Sequence, residues 1–179
     1  RQLRSMTLED KAKQIKTIIL DIDGVLTDGR VGYGSDGNNE LKFFDVKDGH
    51  SIKMLMRGGI SVGVLSGRES KANTIRIKEL GLNFAYQGEK NKLEAFERLQ
   101  REQGVSPDTT LYIGDDLVDL PVMKRCAIGV AVGDAVDEIK PEADMITHAH
   151  GGRGAIREVA VWLLKTQQKW DMLLERYQQ

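Results

Sequence analysis

Five short apolar runs, Lys16 to Leu20, Ile60 to Leu65, Asn83 to Tyr86, Thr110 to Ile113 and Ile128 to Val132, recur along the chain and constrain its fold more than any other feature. Each has strand length, and several are apolar at every position, which suits strands buried on both faces. Between them lie stretches with helical spacing. Ile52, Leu55 and Met56 stand so within Asp48 to Arg57, and Leu93, Phe96 and Leu99 within Asn91 to Gln103, which stops before Gly104. Strands alternating with helices predict a doubly wound, Rossmann-like α/β fold, a parallel sheet with helices on both faces. Arg30 to Val46, RVGYGSDGNNELKFFDV, departs from the alternation and reads as strand, Gly/Asp/Asn turn, strand: a β-hairpin inserted after the first strand. It is too short for a second domain, so residues 1–179 read as one. From Gly154 a last helix is expected to run past Trp162 and Trp170 towards Tyr177, with Ile156, Val159, Leu163, Trp170 and Leu174 on one face. That is longer than the sheet needs, so its end is expected to leave the body and meet another subunit.

Lysine and arginine total 26 against 27 aspartates and glutamates, and the net charge of -1 gives no electrostatic reason to expect nucleic acid or an anionic membrane as partner. Cys126 is the single cysteine and cannot form an internal disulfide. Residues 1–20 lack the apolar core of a signal peptide, and no later run has membrane-spanning length, so a cytoplasmic protein is expected. Arg1 in place of methionine suggests that the native start lies upstream.

Ligands of open α/β sheets bind outside the carboxyl ends of the strands. The residues just beyond each predicted strand are therefore informative. Asp21 and Asp23 come after the first; Ser66, Gly67 and Arg68 after the second; Asp115, Asp116 and Asp119 after the fourth; and Lys90 and Lys92 stand at the head of the helix near residue 91. Two like charges about 4 Å apart repel by roughly 4 kcal/mol at an effective dielectric near 20, so such a cluster of acids calls for a counter-ion. Oxygen ligands without neighbouring Cys or His favour Mg²⁺ over zinc. A metal on Asp21 and Asp115 can hold a phosphate oxygen, Ser66 and nearby N–H groups at a following helix can take others, and Lys92 adds positive charge. Residues i and i+2 of an extended stretch point the same way, so Asp21 and Asp23 can share a site, one as nucleophile towards phosphorus and the other as acid and then base. Lys53, Arg68, Arg76 and Arg153 exceed what one phosphate needs and suit a substrate carboxylate.

Plainer readings compete. A calcium loop starting at Asp21 would require glycine at Leu26 and glutamate at Gly32, and it would follow a helix. Gly32 to Gly37 matches G-x-G-x-x-G but opens no helix, so it reads as the hairpin turn. Ser66 also reads as a helix N-cap. His148 and His150 lack a third ligand, Cys126 reads as core, and Trp162 and Trp170 as core or subunit contacts. A receiver-type signalling domain shares the acids, metal and lysine but places its metal acids after the first strand and its phosphoacceptor after the third; here Asp115 follows a late strand. A non-catalytic scaffold of the same fold is a further alternative.

Asp21-Ile22-Asp23-Gly24, the Ser66 turn, Lys92 and the GDDLVD run, in that order, resemble the haloacid dehalogenase superfamily of phosphotransferases over most of the chain. The resemblance implies Asp21 as nucleophile and Asp23 as general acid/base whose backbone carbonyl also touches Mg²⁺. It further implies Ser66 and Lys92 as phosphate holders, Asp115 as a metal ligand, and Asp116 and Asp119 as supporting acids. Such enzymes usually carry a cap domain. This chain has only the hairpin between Gly29 and the Ser66 strand, which is similar to the capless branch, whose members cover the site by oligomerising. FDVKDGHSIKML, LSGR, YQGEKNKLEAF and GGRGAIREV resemble, within that branch, phosphatases of eight- and nine-carbon sugar-acid phosphates. That likeness implies a homotetramer with the hairpin as a contact, a tail near a site, and substrate contacts from Asp23, Asp45, Val46, Lys47, Asp48, Gly49, Lys53, Gly67, Arg68, Arg76 and Lys92.

Overall fold

The computed structural model describes residues 5–179, so Arg1 lies outside the described residues. Helix α1 (Leu8–Gln14) is capped by Thr7, whose hydroxyl accepts from the Asp10 N–H. Next comes β1 (Thr17–Leu20), buried at every position. The hairpin is built from two-residue strands, β2 (Gly32–Tyr33) and β3 (Glu40–Leu41), extended by an isolated bridge between Thr27 and Phe44. The chain continues through α2 (Val46–Arg57), β4 (Ser61–Leu65), α3 (Lys71–Leu80), β5 (Phe84–Tyr86), α4 (Lys92–Gln103), β6 (Thr110–Gly114), the short α5 (Leu120–Met123), β7 (Ile128–Ala131) and β8 (Met145–Ile146). It ends with α6 (Ala155–Thr166) and α7 (Trp170–Leu174).

The six-stranded sheet has the order β5-β4-β1-β6-β7-β8, and every pairing in it is parallel. Leu20 pairs with Val64 on one side and Ile113 on the other, so β1, β4 and β6 end almost level. The strand order reverses at β1, which opens a crevice at that edge. Asp21, Ser66 and Asp115 each stand at the exit of one of these three strands. The doubly wound fold read from the sequence is the fold observed, with the hairpin as its insertion.

Helices α1 and α5 were not read from the sequence, and three further elements differ from that reading. Helix α3 escaped it because only Asn73 and Leu80 are buried there, too few to mark a periodic face. Strand β8 is two residues long, below the length at which a pattern shows. The expected single C-terminal helix breaks after Thr166: Gln168 takes a left-handed φ of 58°, and α7 begins beyond it. The chain then folds back onto α2, where the Tyr177 hydroxyl meets His50 Nε2 at 2.9 Å and accepts from Arg57 at 2.6 Å. Its end does not project from the body. Ser66 is also no helix cap. Ser70 caps α3 by accepting from the Asn73 N–H, while the Ser66 hydroxyl donates to the Arg68 carbonyl at 2.9 Å.

One fully buried acid ties distant segments together. The start of α6 has no side-chain cap of its own; instead Asp48 of α2 accepts from the Arg157 N–H at 2.9 Å and the Gly154 N–H at 3.2 Å. Burial pushes the Asp48 carboxyl up, and the two N–H donors hold it back. Asp48 was expected among the substrate contacts; its side chain is spent on the α2–α6 packing. Asp48→Ala should leave two donors unpaired at a cost of roughly 1–3 kcal/mol, which for a chain this size lowers Tm by about 2–12 °C in a thermal melt.

Candidate active site

Asp21 leaves β1 in extended conformation, and its Oδ1 accepts from the Ile22 N–H at 2.7 Å. The chain then turns at Gly24, where φ is 85°, and the Thr27 hydroxyl accepts from the N–H groups of Gly24 and Gly29, both at 3.2 Å. A Cβ on Gly24 would overlap the Asp115 carboxylate, so only glycine lets the two strand exits close on each other. Gly114 plays the same part at the end of β6, where a side chain would collide with Asp119.

Lys92 opens α4 behind its cap, Asn91. Its ammonium is buried, 2.7 Å from Asp119 Oδ1 and 3.0 Å from Asp21 Oδ1. Asp119 Oδ1 also accepts from the Tyr112 hydroxyl at 2.6 Å, while Oδ2 accepts from the Asp115 and Asp116 N–H groups at 2.9 and 3.2 Å. Both of its oxygens are therefore engaged, and Asp119 holds Lys92 and the turn after β6 in place. Burial alone would raise its carboxyl, but Lys92 and Tyr112 outweigh that and hold it below the usual range.

Carboxylate oxygens of Asp21, Asp115 and Asp119 lie within 4.8 Å of one another. Burial, reinforced by the Asp119 charge, pushes Asp21 up to about 7 in spite of Lys92. Burial followed by the charges of Asp21 and Asp119 pushes Asp115 up to about 9. Three carboxylates against one ammonium leave a formal charge of -2 (one minus three), which one divalent cation balances. With Asp119 spent on Lys92, Asp21 and Asp115 are the acids that could offer oxygens to it, and an all-oxygen donor set fits Mg²⁺. Gly24 leaves the room beside Asp115 that a side chain would fill.

Asp21, Asp23, Ser66, Gly67, Arg68, Lys92, Asp115 and Asp116 line one cleft of about 280 Å³, together with Lys90 and Glu89. The other residues read from the resemblance lie elsewhere in the same chain. Asp45 caps α2 and borders a separate hollow with Phe43 and Arg153; Val46 and Lys47 are exposed. Lys53 donates to the Glu79 carbonyl and flanks the Tyr177 pocket. Arg76 packs against Gly49 and lies over the Phe44 ring at 5.7 Å. None of these lines the cleft of its own chain.

The sequence reading missed Tyr112, hidden inside an apolar run, and the hairpin charges Glu40 and Lys42. Lys42 Nζ lies 2.8 Å from Asp23 Oδ1, and Arg68 pairs with both Glu40 and, at 3.5 Å, Asp23 Oδ2. The available signal was the alternation in Glu40-Leu41-Lys42-Phe43, which puts the two charges on one face.

With this geometry in hand, similarity to known proteins is specific. Residues 84–158 match the family described as haloacid dehalogenase-like hydrolase. The 3-deoxy-D-manno-octulosonate 8-phosphate phosphatase of Salmonella typhi is 45% identical over 161 residues, 90% of this chain and 85% of its own. The chain belongs to the haloacid dehalogenase-like hydrolase family. Among solved members, the 3-deoxy-D-manno-octulosonate 8-phosphate phosphatase of Moraxella catarrhalis, in complex with magnesium ion, phosphate ion and KDO, is 37% identical with a TM-score of 0.90, covering 94% of this chain and 97% of that one. The cobalt-bound form of the Haemophilus influenzae phosphatase is 43% identical with a TM-score of 0.85, covering 89% and 92%. Between β1 and α2, the hairpin is the one two-stranded insertion among the described residues.

The raised carboxyls give a signed pH dependence. Between the ordinary value of 3.8 and about 9, the fold retains protons on Asp21 and Asp115 that the unfolded chain has lost, so these two groups destabilise the fold increasingly as pH rises. In chelator, Tm should fall from pH 6 to pH 9, and the Tm gain on adding Mg²⁺ should grow over the same range, because the ion binds the ionised acids. Asp115→Asn should raise the metal-free Tm at high pH and remove most of the Mg²⁺ gain; differential scanning calorimetry reads both.

Proposed function

We propose that this chain is a Mg²⁺-dependent phosphomonoesterase that hydrolyses 3-deoxy-D-manno-octulosonate 8-phosphate through an aspartyl-phosphate on Asp21. The observation that carries the reading is the convergence of Asp21, Asp23, Ser66, Lys92 and Asp115 on one cleft at the sheet's switch point. Its substrate is supported by the relatives of that name.

Lys92 and the Ser66 hydroxyl hold phosphate oxygens, and the Lys92 charge beside Asp21 lets a second anion approach the nucleophile. An Asp21 oxygen attacks phosphorus, the bond to the sugar oxygen breaks, and Asp23 gives that oxygen its proton. Asp23 then takes a proton from water as the water attacks the phosphorus, which frees phosphate and restores Asp21. Asp21, Asp115 and the Asp23 carbonyl would hold Mg²⁺, which would supply charge neutralisation for the phosphoryl group. Asp119 keeps Lys92 and the Asp115 backbone in place, and Asp116 caps the turn that carries Asp119. Arg68, half-exposed at the rim, is assigned to the sugar carboxylate.

Wild-type enzyme should release phosphate from the octulosonate 8-phosphate only with Mg²⁺. Asp21→Asn should lower kcat/KM by roughly 10³-fold or more. Arg68→Glu should raise KM for the sugar-acid phosphate far more than for p-nitrophenyl phosphate; equal losses on both would refute the carboxylate contact. Retained turnover in Asp21→Asn would refute the nucleophile.

Asp45, Val46, Lys47 and Lys53 stand outside their own cleft, so the proposal gives them a part in binding only across a subunit boundary of a homotetramer. Exposed Tyr33, Leu41, Phe43 and Val46, on and beside the hairpin, support such a contact. Light scattering should give about four times the 20.0 kDa of one chain, and Phe43→Glu should shift the protein to smaller species.

A further inference from the structure

The hairpin is built inside out. Leu41 and Phe43 are 61% and 73% exposed, whereas the Lys42 side chain between them is 0% exposed. A buried ammonium is costly unless it is paired, and a hairpin lysine would ordinarily lie in solvent. Lys42 is paired on three sides: with Asp23 Oδ1 at 2.8 Å, with Glu40 Oε2 at 3.8 Å, and as donor to Asn73 Oδ1 at 3.0 Å. Asn73 is itself buried and fixed in the first turn of α3, where its N–H donates to the Ser70 hydroxyl. The ammonium is thus held by α3 from one side and meets Asp23 on the other.

Asp23 needs such a partner. Its Oδ1 is buried and receives no hydrogen bond from the described residues, and Lys42 Nζ stands 2.8 Å from it as a charge partner. Its Oδ2 lies on the Arg68 side, and the residue lines the cleft. The two aspartates of the turn therefore have a lysine each, delivered by different elements: Lys92 of α4 for Asp21, and Lys42 of the hairpin for Asp23.

We propose that Lys42 is a positioning residue that pins Oδ1 of Asp23 and so aims the other carboxyl oxygen at the leaving group. The inference rests on the reading of Asp23 as general acid/base. The proton that Asp23 gives to the departing sugar oxygen leaves a carboxylate, which recovers a proton from the water that breaks the bond between phosphorus and Asp21. A misaimed acid slows only substrates whose leaving oxygen needs the proton.

The test uses the full chain with Mg²⁺ and compares kcat/KM, which reports the phosphoryl-transfer half-reaction, for the octulosonate 8-phosphate and for p-nitrophenyl phosphate, whose phenolate leaves without help. Lys42→Met should lose roughly 10- to 100-fold on the sugar phosphate and less than about 3-fold on the aryl phosphate. Asp23→Asn should show the same selectivity, and the double variant should be no worse on the sugar phosphate than Asp23→Asn alone. Asn73→Leu, which frees Lys42 from its other anchor, should give a smaller loss of the same kind and serves if Lys42→Met fails to fold. Equal losses on both substrates, or losses that add in the double variant, would overturn the proposal. Absence of leaving-group selectivity in Asp23→Asn itself would instead remove the acid/base reading beneath it.

Discussion

The ion pair between Lys92 and Asp119 holds the remainder of the site together. It joins the head of α4 to the turn after β6, and through Asp21 it reaches the exit of β1. Asp119 accepts from Lys92, Tyr112 and two backbone N–H groups, which satisfies both oxygens of a fully buried carboxylate. Breaking a buried pair leaves a charge without compensation, at roughly 3–5 kcal/mol. The three segments are thereby locked as a unit, and Asp21 and Asp115 remain with charge to spare.

That surplus is tolerable because of where the strands stop. Level ends of β1 and β6 bring Asp21 and Asp115 side by side, and the turn at Gly24 lets them approach. The geometry is costly in the bare chain, as the raised carboxyls of both show. It becomes favourable once a cation enters, so cation affinity is drawn from strain already present in the fold. An acid pair spread more widely would cost less without metal and bind it less well.

How much of this was legible depends on the range of the interaction. Strands β1, β4 and β6 are continuous apolar runs, and the acids just beyond β1 and β6 could be placed at one edge from topology alone. Asp48 could not be understood that way, since its partners Gly154 and Arg157 lie more than a hundred residues along the chain and donate backbone N–H groups that no residue type announces. The break at Gln168 was hidden for another reason: it uses neither glycine nor proline, and the tail beyond it docks on α2 through contacts far away in sequence. Lys42 was hidden by a convention. Charged residues of an exposed hairpin are assumed to face water, and here the alternation runs the other way.

The inverted hairpin links two problems that a capless hydrolase faces. The acid/base must be aimed, and water must be kept from the charged cleft while phosphorus is transferred. With Asp23 as the proposed acid/base, the hairpin's inner face would address the first within one chain, through a cation on Asp23 and an anion, Glu40, on Arg68. It cannot address the second, because Arg68 remains 47% exposed and Asp23 21% exposed. The outer face carries the apolar side chains that a covering chain would bury, so in the proposed tetramer one two-stranded insertion would do both tasks. A hairpin with the ordinary pattern, polar outward, would lose both together.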